Sequence, residues 1–164
     1  MIRLEPFTPA DYDRLISWVD SPELLLQYSG PLFKFPLTHE QLEANAADPK
    51  RVSYNVVDEA SGAVVAHCEL YYKQDSILIG RILIGDPDAR GKGIGGAIIR
   101  ALVAVAKQDP ERRLIELNVF DWNHAAIRCY EREGFELNPS VKYERQIGDE
   151  VWTAVNMVYR QVQV

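Results

Sequence analysis

The sequence predicts an α+β domain: a mixed, mostly antiparallel sheet of six to seven strands flanked by helices. Three observations carry that expectation. The first fifty residues hold three helix starts, after which the hydrophobic period changes from helical to alternating. The β-rich runs that follow are separated by breaks of hairpin length. Finally, a long apolar helix lies between two further β-rich runs, and a helical crossover makes the strands it joins parallel neighbours. At 164 residues, 47% apolar and 26% charged, the chain is expected to form one domain over residues 1–164.

The elements follow in order. Residues 2–7 alternate as a first strand. Thr8-Pro9 opens a helix with Thr8 as N-cap, and Tyr12, Leu15, Ile16 and Val19 share one face. Ser21-Pro22-Glu23 repeats that start signal for a second helix reaching about Tyr28. Gly30, Pro31 and Pro36 make residues 29–37 a loop, and Thr38 with Gln41 forms a capping box for a third helix. Runs at 52–58, 64–72 and 77–85 form a meander. A helix over about 93–108 ends at Asp109-Pro110, and residues 114–120 return as a strand. Asn123 caps a helix that Gly134 closes, and runs at 141–146 and 151–159 form a hairpin about Gly148-Asp149.

Charge and composition exclude several function classes. Eighteen Lys and Arg against 24 Asp and Glu give a net charge of −6, which opposes general nucleic-acid binding and suits amine-bearing partners. Cys68, Cys129 and the histidines at 39, 67 and 124 show no metal-ligand spacing, so no metal is expected. No apolar run approaches the roughly 20 residues that span a bilayer, and residues 1–14 lack the apolar core of a signal peptide. A cytoplasmic protein, monomeric or homodimeric, is the expectation.

The chemistry concentrates in one loop. Gly91, Gly93, Gly95 and Gly96 fall within six positions directly before a helix, flanked by Arg90 and Lys92. Glycines there provide positive φ or close backbone approach, and unpaired N–H groups at a helix N-terminus attract an anion. A phosphate or pyrophosphate ligand follows. Gly91, Gly93 and Gly96 literally satisfy the dinucleotide fingerprint, with Glu116 about 20 residues on. Against it, residues 86–90 separate the strand from the glycines, and an antiparallel meander stands where a βαβαβ half-domain is required. A Walker loop fails on spacing and on Gly93 standing where Ser or Thr follows the lysine.

The remaining pattern, Arg-x-x-Gly-x-Gly at Arg90, Gly93 and Gly95, resembles the GNAT superfamily of acyl-CoA N-acyltransferases. The resemblance extends through Asn123 and Tyr130-x-x-x-Gly134-Phe135, strongest over residues 77–135. It implies a GNAT-like sheet whose one parallel pair splays around the cofactor, acetyl-CoA. It further implies that the backbone of Gly91, Lys92, Gly93, Ile94, Gly95 and Gly96, beside Arg90, holds the pyrophosphate. By the same resemblance Leu83, Ile84 and Gly85 pair with the pantetheine amides, a form of strand addition, and Asn123 touches the pantetheine arm. Tyr130 matches the tyrosine near the thioester sulfur, where it is expected to act as general acid.

The implied reaction is acetyl transfer to a primary amine of a small molecule or protein N-terminus, by direct attack in a ternary complex. Some relatives place a glutamate where this chain has Asn118, so that base is missing. Glu116 and Glu69 are the candidate replacements, with a water chain as the other route. Residues 20–48 are expected to build the acceptor side. The alternative is a non-catalytic acyl-CoA sensor or interaction module on the same fold.

Overall fold

The computed structural model describes residues 1–160; the last four residues of the expected domain lie outside the described residues. One seven-stranded sheet runs in the order β1-β2-β3-β4-β5-β7-β6. Its strands are β1 (Ile2–Pro6), β2 (Arg51–Asp58), β3 (Val64–Tyr72), β4 (Ser76–Ile84), β5 (Leu114–Phe120), β6 (Phe135–Ile147) and β7 (Glu150–Tyr159). Every neighbouring pair is antiparallel except β4–β5, the pair joined through a helix.

The predicted helix starts are where the chain turns helical. Ser21 accepts from the Leu24 N–H to open α2 (Pro22–Ser29), and Thr38 accepts from the Gln41 N–H to open α3 (His39–Ala46). The start at Thr8-Pro9 begins as a 3-10 turn over Pro9–Asp11, and α1 proper is Tyr12–Trp18. Helices α4 (Ile94–Ala106) and α5 (His124–Arg132) follow the two strands of the parallel pair.

The sheet is covered on both faces. Alternation along β3 sends Ala66, Cys68 and Leu70 into the core shared with Ile98, Ile99 and Leu102 of α4. A second core packs Tyr12, Leu15, Leu25, Tyr28 and Leu42 of α1–α3 together with Leu83 of β4. The intervening β3 residues His67 and Glu69 lie on the face opposite the α4 core, each only 2% exposed. Burial also drives the Cys68 thiol pKa upward, so it sits in the core as a small apolar group.

Strand β6 begins six residues earlier than the sequence indicates, at Phe135. The pairing is broken by a bulge across Asn138-Pro139-Ser140: Asn138 faces Asn156 and Lys142 faces Val155. The strand tolerates Pro139 because β6 is at the sheet edge, where an N–H is not needed.

A second irregularity shapes the site. Between the pairs Glu69–Gly80 and His67–Leu83, β3 contributes Cys68 alone while β4 contributes Arg81 and Ile82. This bulge bends β4, and Arg81 takes a φ of 51°, unusual for a side-chain-bearing residue. Pairing with β5 holds from Ser76–Leu114 to Ile79–Leu117 and then ends. Beyond it β4 follows β3 and β5 follows β7, leaving a V-shaped gap.

Leu102 is fully buried between α4 and the sheet. Leu102→Ala is expected to cost about 2–5 kcal/mol, read as a lower denaturation midpoint in urea at unchanged m-value.

Candidate active site

The glycine loop divides into residues with different tasks. After β4, Asp86 accepts from the Asp88 N–H to form a short 3-10 turn over Pro87–Ala89. Gly91 and Gly93 then adopt φ of 76° and 75°, and a Cβ at either would meet open space. Their glycines therefore serve backbone conformation rather than packing. Gly96 is different: a Cβ would stand 2.7 Å from Glu133 Oε2, so this glycine leaves room for the carboxylate that pairs with Arg100. Gly85 likewise yields to the Trp18 ring, which occupies the place of its missing side chain.

Gly93 is the N-cap of α4, and no side chain caps the helix. The first-turn N–H groups of a helix have no intrahelical acceptor, and here they open onto the loop with the positive end of the helix dipole. Arg90 does not reach forward into this nest. Its guanidinium donates to the Ile84 carbonyl at 3.0 and 3.2 Å, clasping the loop against the end of β4. The next N–H, that of Gly85, donates to Val65 on β3. A planar trans peptide then turns the Ile84 carbonyl away from β3, toward the gap.

The gap opens into a cavity of about 340 Å³. Asn123 and Tyr130 of α5, Ile82 of β4 and Asn118 of β5 line its inner end, and the α2 end with β6 closes the outer end. Asn123 also keeps its local duty, accepting from the Ala126 N–H as the N-cap of α5. Tyr130 is partly buried, packed against the α4 core, and desolvation, with a smaller contribution from Cys129, pushes its hydroxyl pKa up to about 12. At neutral pH this side chain is a phenol that donates.

The candidate carboxylates are placed very differently. Glu69 lines the cavity but is saturated with donors: Arg51 at 2.8 Å, Ser53 at 2.9 Å, Asn45 at 3.1 Å and Arg81 at 3.4 Å. Glu116 is outside the cavity walls, 8% exposed, receiving Asn156 Nδ2 at 3.1 Å with Lys73 Nζ at 3.7 Å. Asn156 also donates to Asn118 Oδ1 at 2.9 Å, which leaves the Asn118 amide N–H groups to face the cavity.

Arg51, Arg81 and Arg145 line the same cavity and were missed by motif reading. Arg81 hydrogen-bonds Asn45 and lies with its guanidinium 4.5 Å over the Phe33 ring. Its signal in the sequence, an arginine inside an otherwise apolar strand beside Gly80, marks the bulge. Of the expected acceptor-side residues, Tyr28 lines the cavity and Phe33 supports it from behind, while Phe35 is 42% exposed.

A second cavity of about 320 Å³ lies under α1 and α3 and holds His67. Neither ring nitrogen of this buried histidine has a hydrogen-bond partner among the described residues, and Phe7 and Tyr28 pack edge-on against the ring.

The sequence model described as "Acetyltransferase (GNAT) family" matches residues 15–135. An aminoglycoside N(6')-acetyltransferase type 1 of Klebsiella pneumoniae is 41% identical over 59 residues, 36% of this chain and 29% of that protein. The matched segments span less than half the length of the curated relatives, 47% in a kanamycin resistance protein of Rhizobium radiobacter. Among solved structures, AAC(6')-Ib with ribostamycin and coenzyme A has a TM-score of 0.74 at 23% identity, covering 96% of this chain and 92% of that one. Spermidine N-acetyltransferase from Vibrio cholerae with CoA and spermine has a TM-score of 0.78 at 20% identity, covering 96% and 94%.

Burial lowers the His67 pKa from 6.5 to about 4, with Glu69 opposing and Arg81 and Arg14 assisting. The unfolded chain therefore binds a proton that the folded one refuses. The resulting penalty is absent above about pH 6.5 and grows as pH falls toward 4, reaching on the order of 3 kcal/mol. His67→Phe is expected to remove that component of the acid sensitivity in denaturant titrations between pH 7 and 4. An unchanged pH slope would contradict the burial argument.

Proposed function

The chain belongs to the GNAT acetyltransferase family, and from that membership we propose that it transfers an acetyl group from acetyl-CoA to a primary amine. The observation that carries the reading is the uncapped N-terminus of α4, with its two left-handed glycines, placed at the mouth of the gap between β4 and β5. Relatives named as aminoglycoside and spermidine acetyltransferases support the amine class of acceptor. We take residues 1–164 as one acetyltransferase domain.

The residues present fit the cosubstrate. The backbone of residues 91–96 offers N–H groups to the pyrophosphate, and open space at Gly91 and Gly93 allows close approach. Lys92 adds charge from the loop, whereas Arg90 acts indirectly by fixing the Ile84 carbonyl toward the gap. The backbone of Leu83, Ile84 and Gly85, set by β3 and with the Ile84 carbonyl shared with Arg90, is the strand edge for the pantetheine amides. The Asn123 side-chain N–H groups are free for the same arm, since its oxygen is occupied by the helix cap.

Acetyl-CoA supplies the acyl group as an activated thioester. The chain's task is to align an amine with it, donate to the carbonyl oxygen as charge develops there, and stabilise the departing sulfur. Asn118 supplies the amide donor at the cavity end of the gap. Tyr130, which lines the same cavity, would donate a hydrogen bond to that sulfur. With its pKa raised to about 12 the phenol stays protonated at neutral pH, the form needed both to hydrogen-bond a developing thiolate and to act on it as general acid. Glu69 is engaged by four donors and Glu116 is outside the cavity, so the amine's proton departs through water in the open chamber.

Two measurements test this reading. Gly93→Val forces a branched side chain to φ +75° and closes the nest, so calorimetry is expected to show at least a tenfold loss of CoA affinity in folded protein. Unchanged affinity would place the cofactor elsewhere. Tyr130→Phe keeps the ring and removes the donor. A hydrogen bond to a charged partner contributes about 1.5–3 kcal/mol, so kcat is expected to fall roughly 10–100-fold with CoA affinity retained. Wild-type kcat, where chemistry limits the rate, would return Tyr130 to a packing role.

A further inference from the structure

The overall charge of −6 favours cationic partners, yet the acceptor chamber is locally inverted. Three guanidiniums, Arg51, Arg81 and Arg145, line it against the single carboxylate of Glu69 among the described residues. Glu69 lies between Arg51 and Arg81 and cancels one of them. Asp48 reaches Arg51 Nε at 3.4 Å but lies outside the cavity walls. Arg145 is different in kind. Its guanidinium donates to the Glu144 carbonyl at 3.1 Å and lies 5.9 Å from the Tyr143 ring centroid, with no carboxylate paired to it among the described residues.

The fold maintains this charge at a cost. Arg81 adopts positive φ at the bulge, its side chain is 7% exposed, and desolvation lowers its pKa. Arg51 and Arg81 are offset by Asp48 and Glu69, so the guanidinium left without a carboxylate in the chamber, among the described residues, is Arg145, and that charge repels a polycationic acceptor. It suits an acceptor that brings its own negative charge. The cavity volume, about 340 Å³ with part of it taken by the gap, limits that acceptor to a small molecule. Around the cations, Tyr28, Tyr71, Phe120 and Tyr143 provide aromatic walls for a short organic body.

We propose that the acceptor is a small amine that also carries an oxyacid group, of the amino-acid class, with that group bound by Arg145. This rests on the acetyltransferase reading and narrows its substrate. Amine and acid occupy opposite ends of the chamber: the amine nitrogen faces the gap at Asn118 and Tyr130, and the acid faces β6. The amine attacks the thioester carbon, the carbon–sulfur bond breaks, the nitrogen's proton leaves to water, and the departing thiolate takes a proton from solvent to leave as free thiol. Carboxylate and phosphonate groups share this chemistry and differ in charge and shape.

The test measures acetyl-CoA-dependent thiol release, expressed per free amine, with matched acceptors. One arm compares α-amino acids with their own amides, a second compares aminoalkylphosphonates with the corresponding alkylamines, and a third uses spermidine and kanamycin. The expected result is a kcat/KM for the acids about 10–100-fold above that of their uncharged counterparts. The stronger of the first two arms identifies the oxyacid. Arg145→Gln is expected to erase that preference while leaving the acetyl-CoA KM unchanged, and Arg145→Lys to restore part of it. Equal rates for acid and amide, best turnover of the polyamines, or an unaltered preference in Arg145→Gln would overturn the acceptor class while leaving the acetyltransferase reading intact. Absence of thiol release with every amine, in protein that binds acetyl-CoA, would overturn that reading and this proposal with it.

Discussion

The parting of β4 from β5 after four paired residues is the constraint on which the site depends. Parallel strands joined by α4 would pair along their length if β4 stayed straight. The extra residue at Arg81 bends it instead, and the bulge is held from two sides, by β3 and by the Asn45–Glu69–Arg81 contacts. One backbone irregularity thus opens the gap, frees a strand edge and directs a guanidinium into the chamber. The α4 N-terminus completes the arrangement, because the short loop from β4 brings it to the mouth of that gap.

Electrostatics separate the two ends of the molecule's working surface. At the loop, uncapped N–H groups and the helix dipole attract an anion without any buried charge. In the chamber the cations are side chains, partly neutralised by Glu69 and supported by aromatic rings at Phe33 and Tyr71. Both ends are cationic on a chain whose composition is acidic, so net charge alone is a poor guide to this site.

Local signals made most of the fold legible. Ser21, Thr38 and Asn123 cap helices because their side chains reach an N–H three residues on, a geometry set by sequence spacing alone. Residues 64–72 and 114–120 are strands with the bounds their alternation indicates. What was not legible depends on distant partners. Glu116 and Glu69 look alike as strand carboxylates, and only tertiary packing gives one to Asn156 and Lys73 and the other to two arginines. Arg145 is on the edge strand β6, and that it lines the chamber follows from a strand order, β5-β7-β6, that no local pattern encodes. The bulge in β6 was hidden because Asn138-Pro139-Ser140 has turn chemistry, which an edge strand can absorb.

Amide hydrogen exchange with and without CoA tests the proposed use of this geometry most directly, because it reads the backbone groups themselves. CoA is expected to slow exchange in the 91–96 loop and first turn of α4 and along residues 82–85 at the end of β4, leaving the β1–β2 edge of the sheet unaffected. Protection confined to other segments, or none at saturating CoA, would contradict the assignment of the gap and the α4 N-terminus as the cofactor site.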